Sequence, residues 1–232
     1  MTRKRIAIVQ SSYIPWKGYF DLIRASDEFM LLDDVQFTRR DWRSRNRIKT
    51  PQGPAWLTIP VQNKGRYLQT IRETQVADGR WSGRHWAALR ASYARAPFFR
   101  EYAPAIEAVY RELEDEEGLS AINYRLMATV CGLLGVSTPI TWSSDYAASA
   151  GRTARLVSLC QQAGATEYLS GPSARAYIDL AMFDAAGITV RFADYEGYPE
   201  YAQLYPPFDH QVTVLDLLFS TGPGARHYLK DL

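Results

Sequence analysis

The chain reads as an α/β protein built on a mostly parallel sheet with helices packed on it. Three observations predict this. The first thirty residues run strand, turn, helix, strand. The last third repeats that alternation, and the stretch between them carries helical periodicity. The expected architecture is a single domain over residues 1–232, a Rossmann-like sheet with a helical insertion at roughly 80–135.

The elements follow in order. The apolar run Ile6–Val9 is a short buried strand. "GYFDLIRAS" places Phe20 and Ile23 on one helical face, and "DEFMLLDDV" is a second buried strand ending in Asp33–Asp34. Residues 36–50 read as a basic loop, followed by a strand in "PAWLTIPV". A short strand at Leu68–Glu73 is an option in an irregular region. Residues 83–113 are helical with a break near Pro97, and residues 119–134 form an amphipathic helix stopped by Gly135. "STPITWSS" is a third sheet strand. "RTARLVSLCQQAG" is a helix, "ATEYLSG" a strand, "ARAYIDLAMFDAAG" a helix, "ITVRFADY" a strand and "TVLDLLFSTG" a closing helix.

Composition narrows the function classes. Hydrophobic residues make up 47% of the chain, enough for a large core. The formal net charge of +2 argues against an extended nucleic-acid surface. Charge is nevertheless local: Arg39, Arg40, Arg43, Arg45, Arg47 and Lys49 face one acid, Asp41, in the same stretch. Two cysteines, Cys131 and Cys160, form no disulfide framework and fit a reducing, cytoplasmic setting. The four-residue apolar run after the basic N-terminus is well short of the roughly 7–15 of a signal core. No stretch approaches the roughly 20 apolar residues of a membrane span, so no membrane partner is expected. Metal-ligand and Gly-x-Gly-x-x-Gly spacings are absent, and no cofactor is expected.

Candidate site residues come from strand ends, where open α/β sheets bind ligands. Gln10 and Tyr13 follow the first strand, and Asp34 and Gln36 follow the second. Asp33 and Asp34 must point to opposite faces, so one of them at most reaches a crevice. Asp34 is the preferred base. Arg45, Asn46 and Lys49 form an expected clamp for phosphate or carboxylate, because guanidinium forks match both. His85 is the alternative base, with Tyr93 two helical turns on along the same face. Ser170 and Gly171 end a strand ahead of Pro172, a place suited to anion or oxyanion binding. Trp16 and Gly18 are expected to be scaffold. Both thiols are expected to be buried and inert, and His210 to have a turn role.

Three blocks carry a resemblance. They are "QSSYIPWKGYFDLIRASDEFMLLDDVQFTRRDWRSRNRIK" with "WLTIPV", then "YLSGPSARAYID", then "YPPFDHQVTVLDLLFSTG". Together they resemble the WbqC-like family, which usually has Gln-Pro where this chain has Gln10-Ser11. The resemblance implies a cytoplasmic enzyme that forms an amide, moving an activated acyl or aminoacyl group onto an amine of an amino sugar or related metabolite. The implied donors are a carrier-protein thioester and an aminoacyl-tRNA ester. The first strand–helix–strand unit also resembles that of the nucleotidylyltransferases. Their His-x-Gly-His signature is replaced here by Trp16-Lys17-Gly18-Tyr19. An altered nucleotidyl- or adenylate-forming enzyme is therefore a second expectation, and a non-catalytic binding module of a biosynthetic complex a third. The oligomeric state is not legible.

Overall fold

The computed structural model describes residues 3–147 and 149–232. Its centre is a five-stranded parallel sheet. The strands are β1 (Arg5–Val9), β2 (Glu28–Leu31), β5 (Ile140–Trp142), β6 (Glu167–Ser170) and β7 (Thr189–Phe192), in spatial order β5-β2-β1-β6-β7. Strand order reverses beside β1. From β1 the chain steps outward to β2 through α1 (Lys17–Arg24). It returns later through α5 (Arg152–Gln162) to β6 on the other side, then steps out to β7 through α6 (Leu180–Ala185). The fold is Rossmann-like α/β, and such a reversal opens a crevice at the strand ends.

The period-two alternation of strand residues divides the core. Ala7, Phe29, Leu31 and Leu169 face one cluster, which includes Phe20 and Ile23 of α1. Ile6, Ile8, Met30 and Tyr168 face a second, with Leu156, Leu159 and Cys160 of α5. Helices therefore cover both faces, as a parallel sheet requires.

The middle of the chain holds β3 (Arg45–Thr50), β4 (Gly53–Thr58), α2 (Trp81–Tyr93), α3 (Phe99–Glu112) and α4 (Leu119–Leu134). The three helices lie where the helical insertion was expected. On α2, Trp81, His85, Leu89 and Tyr93 recur every four residues, and all are buried. Gly135 ends α4 with φ 63°, the left-handed conformation that favours glycine. The closing helix α7 (Val214–Thr221) starts at Thr213, whose hydroxyl accepts from the Leu215 N–H.

Three expectations differ. The basic segment 45–50 is not a loop but a strand, paired antiparallel with β4 from Arg45↔Thr58 to Thr50↔Gly53. Its cations hid the alternation, in which Asn46 and Ile48 are buried while Arg45 and Arg47 are not. Residues 68–73 contribute one isolated bridge, Gln36↔Thr70, rather than a strand. The expected helix 174–187 splits into a 3-10 turn at Pro172–Ala176 and the short α6, which Asp179 caps through the Ala181 N–H. Among the described residues no helix is long and apolar enough to cross a membrane.

Candidate functional site

The reversal beside β1 creates a cleft with two lobes. The inner lobe, about 940 Å³, lies over the ends of β1 and β6 and is walled by the first turn of α5. The outer lobe, about 570 Å³, opens towards Trp42, Asn46 and His210. Val9, Trp16, Tyr19, Arg43 and Tyr195 line both.

The wall carrying Trp16 is built by local sterics. A Cβ on Gly18 would sit 2.4 Å from the Trp16 indole, so only glycine lets that ring fold back over the start of α1. Just before it, Ile14 takes φ 33°, an outlier for a β-branched residue. Asn46 holds this turn: its Nδ2 donates to the carbonyls of Tyr13 at 3.1 Å and Ile14 at 2.7 Å. Arg43 donates to the carbonyls of Gln10 at 2.8 Å and Ser11 at 3.0 Å, and the Tyr19 hydroxyl also donates to Gln10 at 2.9 Å. The β1 end is thus held by side chains, and Gln10 lines the inner lobe.

Tyr195 and Tyr198 form the opposite wall. The Trp16 ring meets them edge-on, with centroids 5.1 Å and 5.4 Å away. Their loop is tied down from below. The Tyr198 hydroxyl donates to the buried Asp21 carboxylate, and Lys17 Nζ donates to the Pro199 carbonyl at 2.9 Å. Burial pulls the Lys17 ammonium down to about 8 and pushes both tyrosine hydroxyls up, so the phenols stay neutral.

The charged side chains that line the cleft are cations. Arg43, Arg152 and Arg155 line it, and among the described residues no carboxylate does; Asp41 pairs with Arg43 and Asp34 with Arg155 from behind, so Arg152 is the cleft arginine without an ion-pair partner among the described residues. Arg152 and Arg155 stand on the first turn of α5, whose N–H groups no side chain caps. The helix dipole and both guanidiniums there favour an anion. Arg152 stacks over Tyr177 at 4.9 Å, and Arg155 lies 3.5 Å from Asp34. At the far lobe stands His210. Burial and the nearby Lys17 charge hold its imidazole below the usual histidine range, so it is neutral at pH 7. Its Nδ1 is buried with no hydrogen-bond partner.

The structure brings some predicted residues together and separates others. Gln10, Gln36, Ser170 and Gly171 line the inner lobe. Asn46 lines the outer lobe. Asp34 does not line it; its carboxylate accepts from Ser143 and faces Arg155, so it orients a cleft arginine. Asp33 points the other way, as strand alternation demands, and accepts from the Ser11 N–H at 2.8 Å. Tyr13 turns into the core. Its hydroxyl contacts His85 Nδ1 at 2.8 Å and the Tyr110 hydroxyl. His85 is 7% exposed and burial lowers it to about 4, so this imidazole sits in the core and not at the cleft. Tyr93 shares its helix face, as its spacing predicts, but that face is the buried one. The Tyr93 hydroxyl donates to Asp216 at 3.0 Å and accepts from the Lys49 N–H at 2.9 Å. Lys49 itself is buried with its ammonium on the Pro207 carbonyl. Arg45, Asn46 and Lys49 are therefore no single clamp, because successive strand residues face different surroundings. Cys131 and Cys160 are buried, and burial pushes both thiols up to about 12.

Sequence reading missed Arg43, Arg152, Arg155, Tyr195, Tyr198 and His210, and took Trp16 for scaffold alone. Two signals were available. Arg152 and Arg155 are three apart at a helix start, hence on one face. Tyr195 follows the end of β7, as Gln10 follows β1 and Gly171 follows β6.

No solved structure matches this chain. An uncharacterized protein, Rv1507c, of Mycobacterium tuberculosis (strain ATCC 25618 / H37Rv) is 52% identical over 227 residues, covering 98% of both chains. The profile of the WbqC-like protein family matches residues 10–228, which spans both lobes of the cleft, and the chain belongs to that family.

Proposed function

We propose that the cleft binds a phosphorylated, ring-bearing small molecule and that the protein transfers an acyl or aminoacyl group onto an amine of that molecule. The observation that carries the reading is the lining of the cleft: an unpaired Arg152 with Arg43 and Arg155 beside it, a helix N-terminus, a ring of aromatic side chains and, among the described residues, no lining carboxylate. An amino sugar held through its phosphate or nucleotide fits this lining. The anion sits against Arg152 and Arg155, and sugar or base rings lie on Trp16, Tyr177 and Tyr195.

His210 serves as the base in this reading. Among the described lining residues it is the group that is neutral near pH 7 and able to take a proton. The amine nitrogen attacks the acyl carbonyl and loses its proton to the imidazole. The C–N bond forms, the C–S or C–O bond to the donor breaks, and the leaving thiolate or alkoxide takes up the proton. Positioning and proton transfer supply the catalysis, with the Ser170–Gly171 turn as the floor of the inner lobe. Buried thiols with raised pKa favour direct transfer over an acyl-cysteine.

The test offers the protein a nucleotide-linked amino sugar with an acyl thioester donor and follows the acceptor by mass spectrometry. The reading expects acylated amine without ATP. Product that appears only with ATP and Mg²⁺ would favour the adenylate-forming alternative. Tight binding of the sugar nucleotide with no turnover for any thioester or tRNA ester would favour a binding module.

A further inference from the structure

A second cationic recess lies outside the cleft. It is a groove of about 670 Å³ between the 37–44 segment and the β3–β4 hairpin. Arg39, Arg40 and Arg45 line it together with Ser44, Thr58 and Asn63, and among the described residues no carboxylate does. Nearby arginines are neutralised: Arg43 lies 3.7 Å from Asp41, and Arg47 lies 3.6 Å from Asp209. Arg39, Arg40 and Arg45 have no such partner among the described residues. Arg40 also holds φ 58°, an uncommon left-handed conformation that turns the chain at the groove wall. Arg45 keeps a buried Nε without a hydrogen-bond partner while its guanidinium lies 4.1 Å over the Trp56 ring.

The groove is joined to the cleft by a short aromatic ridge. Trp56 packs on Trp42 with centroids 5.4 Å apart, and Trp42 lines the outer lobe of the cleft. Both rings are partly open to solvent, at 45% and 40% exposure. An anion in the groove is therefore one aromatic pair away from His210's lobe. The groove walls supply cations, hydroxyls and the aliphatic side chains of Ile59, Pro60 and Val61, but no open aromatic face, since Phe37 is buried. That lining suits a phosphate on a slim aliphatic-amide arm better than a nucleobase, which needs a ring face to stack on.

We propose that Arg39, Arg40 and Arg45 seat the phosphate of a phosphopantetheine arm, whose thioester end passes over Trp42 into the cleft. This rests on the acyl-transfer reading, and it names the donor's chemistry. The arm can come from free coenzyme A or from a carrier protein. Charge-assisted bonds from the three guanidiniums hold the phosphate, and the acceptor's anion is held separately by Arg152 and Arg155.

Calorimetric titration tests the site without requiring turnover. The probes are coenzyme A, an acidic acyl carrier protein in holo and apo forms, and a single-stranded oligoribonucleotide. The wild-type protein should bind coenzyme A or the holo carrier. Binding should weaken by about tenfold or more in Arg39→Ala/Arg40→Ala, and likewise as salt rises from roughly 50 to 200 mM. Those two arginines are exposed, so the variant should keep the wild-type melting temperature. Trp42→Ala should leave phosphate-dependent binding in place but abolish acyl transfer. Tighter binding of holo carrier than of coenzyme A assigns the arm to a carrier, and the reverse assigns it to the free coenzyme. Pantetheine binding that is indifferent to the arginine changes would overturn the proposal. So would tight binding of the oligoribonucleotide with none of either pantetheine probe. Arginine-dependent pantetheine binding without any transfer product would leave this site standing and sink the transfer reading instead.

Discussion

His85 and His210 are the same side chain placed in two regions with opposite consequences. His85 lies on the inward face of α2, against Tyr13 and Trp81, with its Nδ1 already bonded to a phenol. His210 lies on the loop before α7, lining the cleft, with its Nδ1 free of any partner. Both imidazoles are held below the usual range by burial. The difference is what each can meet. In the core the polar atoms satisfy one another, so the histidine contributes to packing and to a hydrogen-bond network. At the cleft the ring lines a lobe that a ligand can fill, and no protein group satisfies its buried Nδ1. A lowered pKa marks a site only when geometry leaves the group something to act on.

The sharpest way to break this contrast is to remove each histidine in turn. His210→Ala should lower the transfer rate by roughly 10²–10⁴, the usual contribution of a general base, with a far smaller change in acceptor binding. Because the base acts only when deprotonated and its pKa is below the ordinary 6.5, the wild-type rate should fall with a midpoint below pH 6.5. That acid limb should vanish in His210→Gln. A full rate in His210→Ala would remove the contrast altogether.

His85 should instead be read in stability. Its pKa is lowered from 6.5 to about 4 in the folded chain, so between those values the unfolded chain binds more protons. Stability should therefore fall as pH drops from about 6.5 to about 4 and level off below. The cost attributable to this group is on the order of 3 kcal/mol. Urea unfolding of the wild type and His85→Gln across that window measures it as the difference between the two slopes. Parallel curves would mean that His85 is protonated at no cost in the fold.

The two arginines of α5 sharpen the cleft side. Arg152→Ala/Arg155→Ala should raise the acceptor KM by about 10–100-fold, the loss expected for charge-assisted contacts, while kcat moves less. Asp34→Asn should reproduce only part of this, since Asp34 positions Arg155 and does not reach the cleft. An unchanged KM in the double variant would place the anion elsewhere.

The smallest effect belongs to the thiols. Cys131→Ala and Cys160→Ser should keep the transfer rate while costing about 1–3 kcal/mol of stability through lost packing. An acyl adduct trapped on Cys160 of the wild type would contradict direct transfer.

Periodicity and punctuation determined much of the scaffold from sequence alone. Ile6–Val9, the glycine stops at Gly135 and Gly164, and the four-residue spacing on α2 read as the elements that form, because local backbone preference and burial agree there. The strand at 45–50 was obscured by its cations. Strand-end position also brought Gln10, Gln36, Ser170 and Gly171 to one cavity, since the parallel order places those ends on one edge. Tertiary structure alone decided which face each polar residue meets. His85, Tyr93 and Lys49 are turned into the core because α2 and β3 bury those faces against partners more than forty residues away in the chain, and Tyr13 follows from the turn after β1 to meet His85. Arg152, Tyr195 and His210 reach one cleft because β6 is laid beside β1 and β7 beside β6. Spacing along a chain states which residues share a face. What covers that face depends on contacts between distant segments, and those are fixed only when the layers pack.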